Sequence, residues 1–161
     1  MHEDIENILN DAAEAALAQE IMDMPVLPAE HPEQPAVGGA VMEPVFLNDW
    51  ADTKQDGMCK DFGIEESELD GATIIVASYL YKDYEGEAYV LFQRDGKLWQ
   101  VEGGHCSCFG LADSSYSDYG NSQWKPEEVS VERLRQLVRA EFDPFVGGTD
   151  AVVAFLATLT A

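Results

Sequence analysis

Residues 72–103 read ATIIVASYLYKDYEGEAYVLFQRDGKLWQVEG, and this stretch decides the fold. Three segments within it, 72–81, 87–94 and 97–103, are rich in β-branched and aromatic residues, as strands are. Asp95-Gly96 separates the last two segments and is a strong signal for a tight hairpin turn, whereas KDYEG (82–86) predicts a looser turn between the first two. The stretch therefore predicts an antiparallel meander of three strands.

Helices are predicted after the meander. The segment SVERLRQLVRAEF (130–142) has apolar residues at helical spacing, and Ser130 is its expected N-cap. Its inward-facing residues are predicted to be Leu134, Leu137 and Val138. Thr149 is expected to cap a last short helix in DAVVAFLATLT. Packed on the meander, one or two such helices give an α+β fold.

A further short helix is predicted before the meander, in NDWADTKQDGMCKDF (48–62). Asn48 is its expected N-cap, and Trp50 and Cys59 are expected to be core contacts. The α+β domain is thus predicted to span residues 45–161.

The N-terminal arm differs in composition. Residues 1–23 predict an acidic helix with a thin, alanine-rich apolar stripe, and such a helix needs a partner: its own domain, a second copy in a homodimer, or another protein. Residues 24–44 hold five of the seven prolines and a Gly-Gly pair, which predicts a linker. The arm is expected to be separable from the fold.

The formal net charge is -22, and the first basic residue is Lys54. A polyanionic surface repels nucleic acid and anionic membrane and attracts basic surfaces, most of which are nucleic-acid sites in a cell. The alternative is that excess acid only keeps the protein dispersed. No apolar run approaches the roughly 18 residues of a membrane span, and the acidic N-terminus lacks the features of a signal peptide. A cytoplasmic protein is therefore expected.

Two acidic patches are candidate partner-binding surfaces. The first lies before the meander and the second in the polar loop 112–123, where tyrosines accompany the acids. A solvated turn and a plain surface loop are the competing interpretations. The candidate residues are Glu65, Glu66, Glu68 and Asp70 in the first patch and Asp113, Tyr116, Asp118 and Tyr119 in the second.

The segment HCSC (105–108) allows several interpretations. A zinc site needs about four ligands, and a nucleophilic cysteine needs a nearby base, whereas alternation on a strand would point His105 away from Cys106. A mutual disulfide would be strained and is not expected in a reducing cell. We therefore predict buried, structural cysteines under the helices, with no catalytic residue, metal or cofactor, so that Cys106→Ser should lower stability.

Four motifs together resemble an uncharacterised family of small phage and prophage proteins. They are Tyr-x-Gly-x-Ala at 84–88, Asp-Gly-Lys-Leu at 95–98, His-Cys-Ser-Cys-aromatic-Gly-Leu at 105–111 and Gln-Trp-x-Pro-Glu-Glu at 123–128. The resemblance covers roughly residues 70–135 and not the arm, and the loop 112–122 is longer here than the family pattern requires. It implies a phage protein but no activity.

Charge and resemblance together predict a phage-encoded inhibitor. It would bind a host protein with a basic nucleic-acid-binding surface, on a defence or transcription machine, by placing carboxylates where phosphates bind, and it would not bind nucleic acid itself. One alternative is a metal- or thiol-dependent enzyme centred on His105, Cys106 and Cys108. Another is a phage assembly component that oligomerises through residues 3–22.

Overall fold

The computed structural model describes residues 42–113 and 121–159, which form an α+β fold around one five-stranded mixed sheet. Neighbouring strands follow chain order, from β1 at one edge to β5 at the other. The predicted N-terminal helix and almost all of the linker lie outside the described residues, as do Tyr116, Asp118 and Tyr119. The strands are β1 (Val45–Asn48), β2 (Thr73–Lys82), β3 (Glu85–Arg94), β4 (Lys97–His105) and β5 (Glu127–Glu128).

The central meander is confirmed, because β2, β3 and β4 pair antiparallel in sequence order. Asp95 and Gly96 form the predicted tight turn with φ of 53° and 72°. The looser turn predicted at KDYEG is wrong. Lys82 pairs with Glu85, and the two residues between them, Asp83 and Tyr84, have φ of 53° and 66°, as a type I′ hairpin turn requires.

Strand β1 makes the sheet mixed rather than purely antiparallel. It pairs parallel with β2, with Val45 opposite Val76 and Asn48 opposite Tyr79. A parallel pair needs a long connection, which here contains helix α1 (Lys54–Phe62) and a short 3-10 helix, Glu66–Leu69. Four residues are too few to show a pattern, so the sequence did not predict this strand.

Asn48 does not cap α1, because the helix begins six residues later, at Lys54. Asn48 instead ends β1 with φ of 58°, a conformation that asparagine tolerates better than most residues. Its side-chain amide donates to Ser78 Oγ at 2.8 Å and to the Val146 carbonyl at 3.0 Å. The residue therefore ties β1 to β2 and to the loop before the last helix.

Each face of the sheet carries its own core. Helix α1 covers the first core, which includes Trp50, Phe62 and Trp124 and also Cys59, as predicted. Helices α2 (Val131–Val138) and α3 (Thr149–Leu159) cover the second core, which includes Tyr89 and Leu134. The sheet thus lies between α1 on one side and α2 with α3 on the other.

The helix ends agree in part with the sequence. Ser130 caps α2 as predicted, because its Oγ accepts the Arg133 backbone N–H at 3.0 Å, although the helix ends at Val138 rather than at residue 142. Thr149 is the first residue of α3 rather than its cap. Within the ranges that the structure describes, no helix is long and apolar enough to cross a membrane.

Candidate functional site

His105 ends β4 and lies across the neighbouring strand. It pairs with Gly86 of β3, which in turn pairs with Tyr81 of β2. A Cβ atom at position 86 would overlap His105 Nε2. The missing side chain of Gly86 is therefore the reason that the imidazole can reach β2.

Two tyrosines of β2 hold the imidazole there. Tyr79 Oη lies 2.6 Å from His105 Nε2, and the Tyr81 ring stacks on the imidazole with centroids 5.5 Å apart. His105 Nδ1 lies 2.8 Å from the Cys106 carbonyl oxygen, which only accepts hydrogen bonds. The neutral imidazole therefore carries its hydrogen on Nδ1, and Tyr79 donates to Nε2.

Tyr79 is a protected phenol whose ionisation should appear in alkaline denaturation. Burial, with smaller contributions from Asp61 and Asp49, raises its pKa from 10.0 to about 12. The unfolded chain therefore loses this proton first, and the free energy of unfolding should fall as pH rises from about 10 through the folded pKa.

We expect Tyr79→Phe to show a shallower alkaline loss of stability than the wild type, measured by urea denaturation between about pH 8 and 11. Burial also raises the pKa of Tyr89, so some alkaline loss should persist in the variant. Identical pH profiles for the two proteins would show that the Tyr79 phenol is not protected.

The two cysteines after His105 are not buried fillers. Cys106 and Cys108 are both exposed free thiols, whereas Cys59 is buried. Strand β4 ends at His105, so the chain leaves the sheet before these thiols could pack under a helix. The prediction of two structural cysteines is therefore wrong at 106 and 108, and so is the reason for expecting Cys106→Ser to bury a polar group.

Cys106 lies in an environment that favours the thiolate. The backbone N–H of Cys108 donates to its sulfur, with an N···S distance of 3.5 Å. This contact is the largest cause of a lowered Cys106 thiol pKa, and further contacts with backbone N–H groups lower it in the same direction. Among the described residues, no three His, Cys, Asp or Glu side chains are grouped so that they could hold a metal ion.

We call His105, Tyr79 and Tyr81 the His105 cluster, and a row of aromatic rings connects it to the first core. Tyr79 contacts Trp50 with centroids 5.2 Å apart, Trp50 contacts Phe62 at 5.7 Å, and Phe62 meets Trp124 edge-on at 5.2 Å. Trp124 then stacks on Phe92. The cluster is thus supported by packed core residues.

The first acidic patch surrounds the 3-10 helix. All four of its acids, Glu65, Glu66, Glu68 and Asp70, are exposed, whereas Leu69 among them is buried. Arg94 lies beside the patch, with its guanidinium donating to the Glu68 carbonyl. These carboxylates therefore face solvent, as the sequence predicted, with one cation beside them.

Of the second patch only Asp113 lies in the described part of the chain. It is partly buried, and its backbone carbonyl accepts a hydrogen bond from Gln123 Nε2 at 2.8 Å. A Cβ atom at Gly63 would lie 3.1 Å from the Ala112 side chain. The structure thus places Ala112, the residue before Asp113, next to Gly63, two residues before Glu65.

The β2–β3 hairpin carries an exposed surface that the sequence did not predict. Its apolar residues are Leu80 and Tyr81, on opposite faces of β2, and Tyr84 in the turn, which are 41%, 47% and 76% exposed. Asp83, Glu85 and Glu87 border it and are also exposed. We call these six residues the hairpin surface. The sequence contains one signal for this surface, which is that Tyr84 occupies a turn position where glycine is usual.

No protein-family model, curated protein or solved structure shows significant similarity to this chain.

Proposed function

We propose that this protein is an acidic inhibitor that binds the basic, nucleic-acid-binding surface of another protein through the hairpin surface. The observation that carries the proposal is the position of Tyr84. Its side chain is 76% exposed, and its backbone has φ of 66°. Glycine would adopt this positive φ without strain, whereas tyrosine adopts it at a cost in conformational energy. Burial of the tyrosine side chain offsets little of this cost, because most of the side chain is exposed.

An exposed aromatic group surrounded by charges is the arrangement expected at a binding site. Tyrosine supplies contact area at a small cost in side-chain entropy, and hot spots are enriched in it. Residues 80–87 carry three acids and one base. The hairpin surface therefore suits a partner with an apolar pocket surrounded by lysine and arginine.

The charge of the whole chain supports the same class of partner. A net charge of -22 accelerates encounter with a basic surface and disfavours direct contact with nucleic acid. Carboxylates placed on a groove that binds phosphates would compete with the nucleic acid. The resemblance to phage proteins makes a bacterial host protein the proposed target, with the inhibitor acting in the host cytoplasm.

The test separates binding from folding by using Tyr84→Gly. Glycine relieves the positive φ, so this variant should be at least as stable as the wild type. Binding to a partner captured from host lysate and then purified should weaken roughly 10- to 30-fold, as for the loss of a hot-spot residue. Stability is measured by denaturation and affinity by calorimetry or surface plasmon resonance.

Charge variants locate the electrostatic contribution. Glu85→Lys should slow association and reduce the salt dependence, because charges at the edge of an interface act mainly on the encounter rate. Glu141→Lys makes the same change at an exposed position after α2 and should bind like the wild type. The partner should also release DNA or RNA when the inhibitor binds.

Two outcomes would contradict the proposal. If the complex is insensitive to salt and its partner still binds nucleic acid at full strength, phosphate mimicry is wrong. If Tyr84→Gly and Glu85→Lys bind normally while Glu66→Lys binds weakly, the hairpin surface is wrong and the patch around the 3-10 helix is the contact surface.

A further inference from the structure

The segment after β4 carries two thiols, and the Gln123 side chain holds it at Gly104 on one side of them and at Gly110 on the other. Gln123 Oε1 accepts the N–H of Gly104 at 2.9 Å, and its Nε2 donates to the Gly104 carbonyl at 3.0 Å and to the Gly110 carbonyl at 3.3 Å. Between these glycines, the carbonyl oxygen of Cys106 accepts a hydrogen bond from His105 Nδ1. The segment carrying Cys106 and Cys108 is therefore short and held at both ends.

The spacing of Cys106 and Cys108 along the chain allows a turn to bring their thiols together. Residues two apart along a chain are separated by at most about 7 Å at their Cα atoms, and disulfides span about 4.4–6.8 Å. The hydrogen bond from the Cys108 backbone N–H to the Cys106 sulfur bends the segment so that Cys108 lies towards the Cys106 side chain. Both residues are exposed, so a reagent in solution can reach them.

Cys106 also differs chemically from the third cysteine. Hydrogen bonds from backbone N–H groups lower the pKa of the Cys106 thiol, whereas burial is the main cause of a raised pKa at Cys59. Thiolates are the attacking species in exchange with disulfides. Cys106 is accordingly the nucleophile of the pair, and Cys59 is sequestered from it.

We propose that Cys106 and Cys108 form a thiol–disulfide exchange pair that reacts with low-molecular-weight disulfides such as glutathione disulfide. The Cys106 thiolate attacks one sulfur of the reagent, forms a mixed disulfide and expels one glutathione thiolate. Cys108, after losing its proton, attacks the Cys106 sulfur and releases the second glutathione. Two cysteine thiols and one glutathione disulfide thus become one Cys106–Cys108 disulfide and two glutathione thiols, which take up the two protons.

The short spacing makes the product an exchangeable disulfide rather than a structural one. A bridge across a single intervening residue, Ser107, departs from relaxed disulfide geometry, and strained bridges are more easily reduced. In a reducing cell the pair would therefore return to thiols once the oxidant is removed. This activity is independent of partner binding through the hairpin surface.

The experiment treats the full chain with glutathione disulfide at neutral pH and follows the products by intact mass and peptide mapping. We expect the wild type to lose two hydrogens without retaining glutathione, with the bridge mapped to Cys106–Cys108 and with Cys59 still free. Cys108→Ser should stop at one glutathione adduct on Cys106. Cys106→Ser should react at Cys108 at least about threefold more slowly than Cys108→Ser reacts at Cys106.

Three results would overturn the proposal. One is the absence of an intrachain bridge at any glutathione ratio. Another is equal adduct rates in the two single variants, which would remove the assigned nucleophile. The third is stoichiometric zinc in the purified chain that disappears in both variants, which would assign the thiols to a metal site. Because both side chains are exposed, the variants should fold normally.

Discussion

Trp50→Ala is expected to remove about 3–5 kcal/mol from the free energy of unfolding, the cost of deleting a large buried aromatic side chain. Trp50 has no exposed surface. Its indole Nε1 donates to Asp61 Oδ2 at 2.8 Å, and its ring contacts Phe62 and Tyr79. The alanine variant would leave a cavity between α1 and the sheet and would remove the neighbour that fixes Tyr79.

Chemical denaturation of the purified chain measures this loss, and Phe142→Ala is the matched control. Phe142 is also aromatic but 68% exposed, so its removal should change stability by no more than about 0.5 kcal/mol. A loss below about 1 kcal/mol in Trp50→Ala would mean that α1 is not stably packed on the sheet, and the support for the His105 cluster would have to come from elsewhere.

The sequence predicted the elements whose signals are local. Asp95-Gly96 defined its hairpin because both residues suit the positive φ that the turn needs. Ser130 was recognised as a helix cap because a short polar residue before an apolar helical pattern has few other roles. Trp50 and Cys59 were placed correctly in the core because each is an apolar residue within a segment of helical pattern.

Elements that depend on distant partners were missed or misplaced. Strand β1 exists because β2 lies beside it, and four residues carry no periodic signal. Asn48 was assigned to the wrong element because a helix cap and a positive-φ strand end both favour asparagine. The two-residue turn at Asp83 and Tyr84 was missed because such a turn usually has glycine at its second position, where this sequence has tyrosine.

The candidate site could not be predicted from the sequence, because it depends on how residues of three strands pair. Alternation along a strand predicts that His105 and Cys106 lie on opposite sides, which argues against a joint role for the two side chains. The structure shows that the backbone carbonyl of Cys106 contacts the imidazole and that the strand ends before the thiols. The partners of His105 come from β2, two strands away, and only the pairing of three strands at Gly86 brings them together.

Gly86→Ala is expected to destabilise the protein by about 2 kcal/mol. The new methyl group would overlap the imidazole of His105, so the ring must leave its place. The protein would lose the hydrogen bond to Tyr79 and the stacking on Tyr81, each worth about 0.5–1.5 kcal/mol.

A double-mutant cycle with His105→Ala tests this prediction, because the effect of Gly86→Ala on stability should change sign when the imidazole is absent. Gly86 lies within β3 and does not have a positive φ, so alanine is intrinsically the better residue there by about 0.5–1 kcal/mol. Without the imidazole, Gly86→Ala should therefore stabilise the protein, and the coupling energy between the two sites should be about 2–3 kcal/mol. Denaturation of the four proteins measures it.

Additive effects of the two changes would contradict the arrangement at Gly86, because the glycine would then be needed for the backbone and not for the imidazole. A spectroscopic readout distinguishes the cases independently. In the wild type, nitrogen chemical shifts should place the hydrogen of the neutral His105 ring on Nδ1, since that atom faces the Cys106 carbonyl. In Gly86→Ala the displaced ring should lose this preference, because the methyl group that moves the imidazole separates Nδ1 from the Cys106 carbonyl and Nε2 from Tyr79.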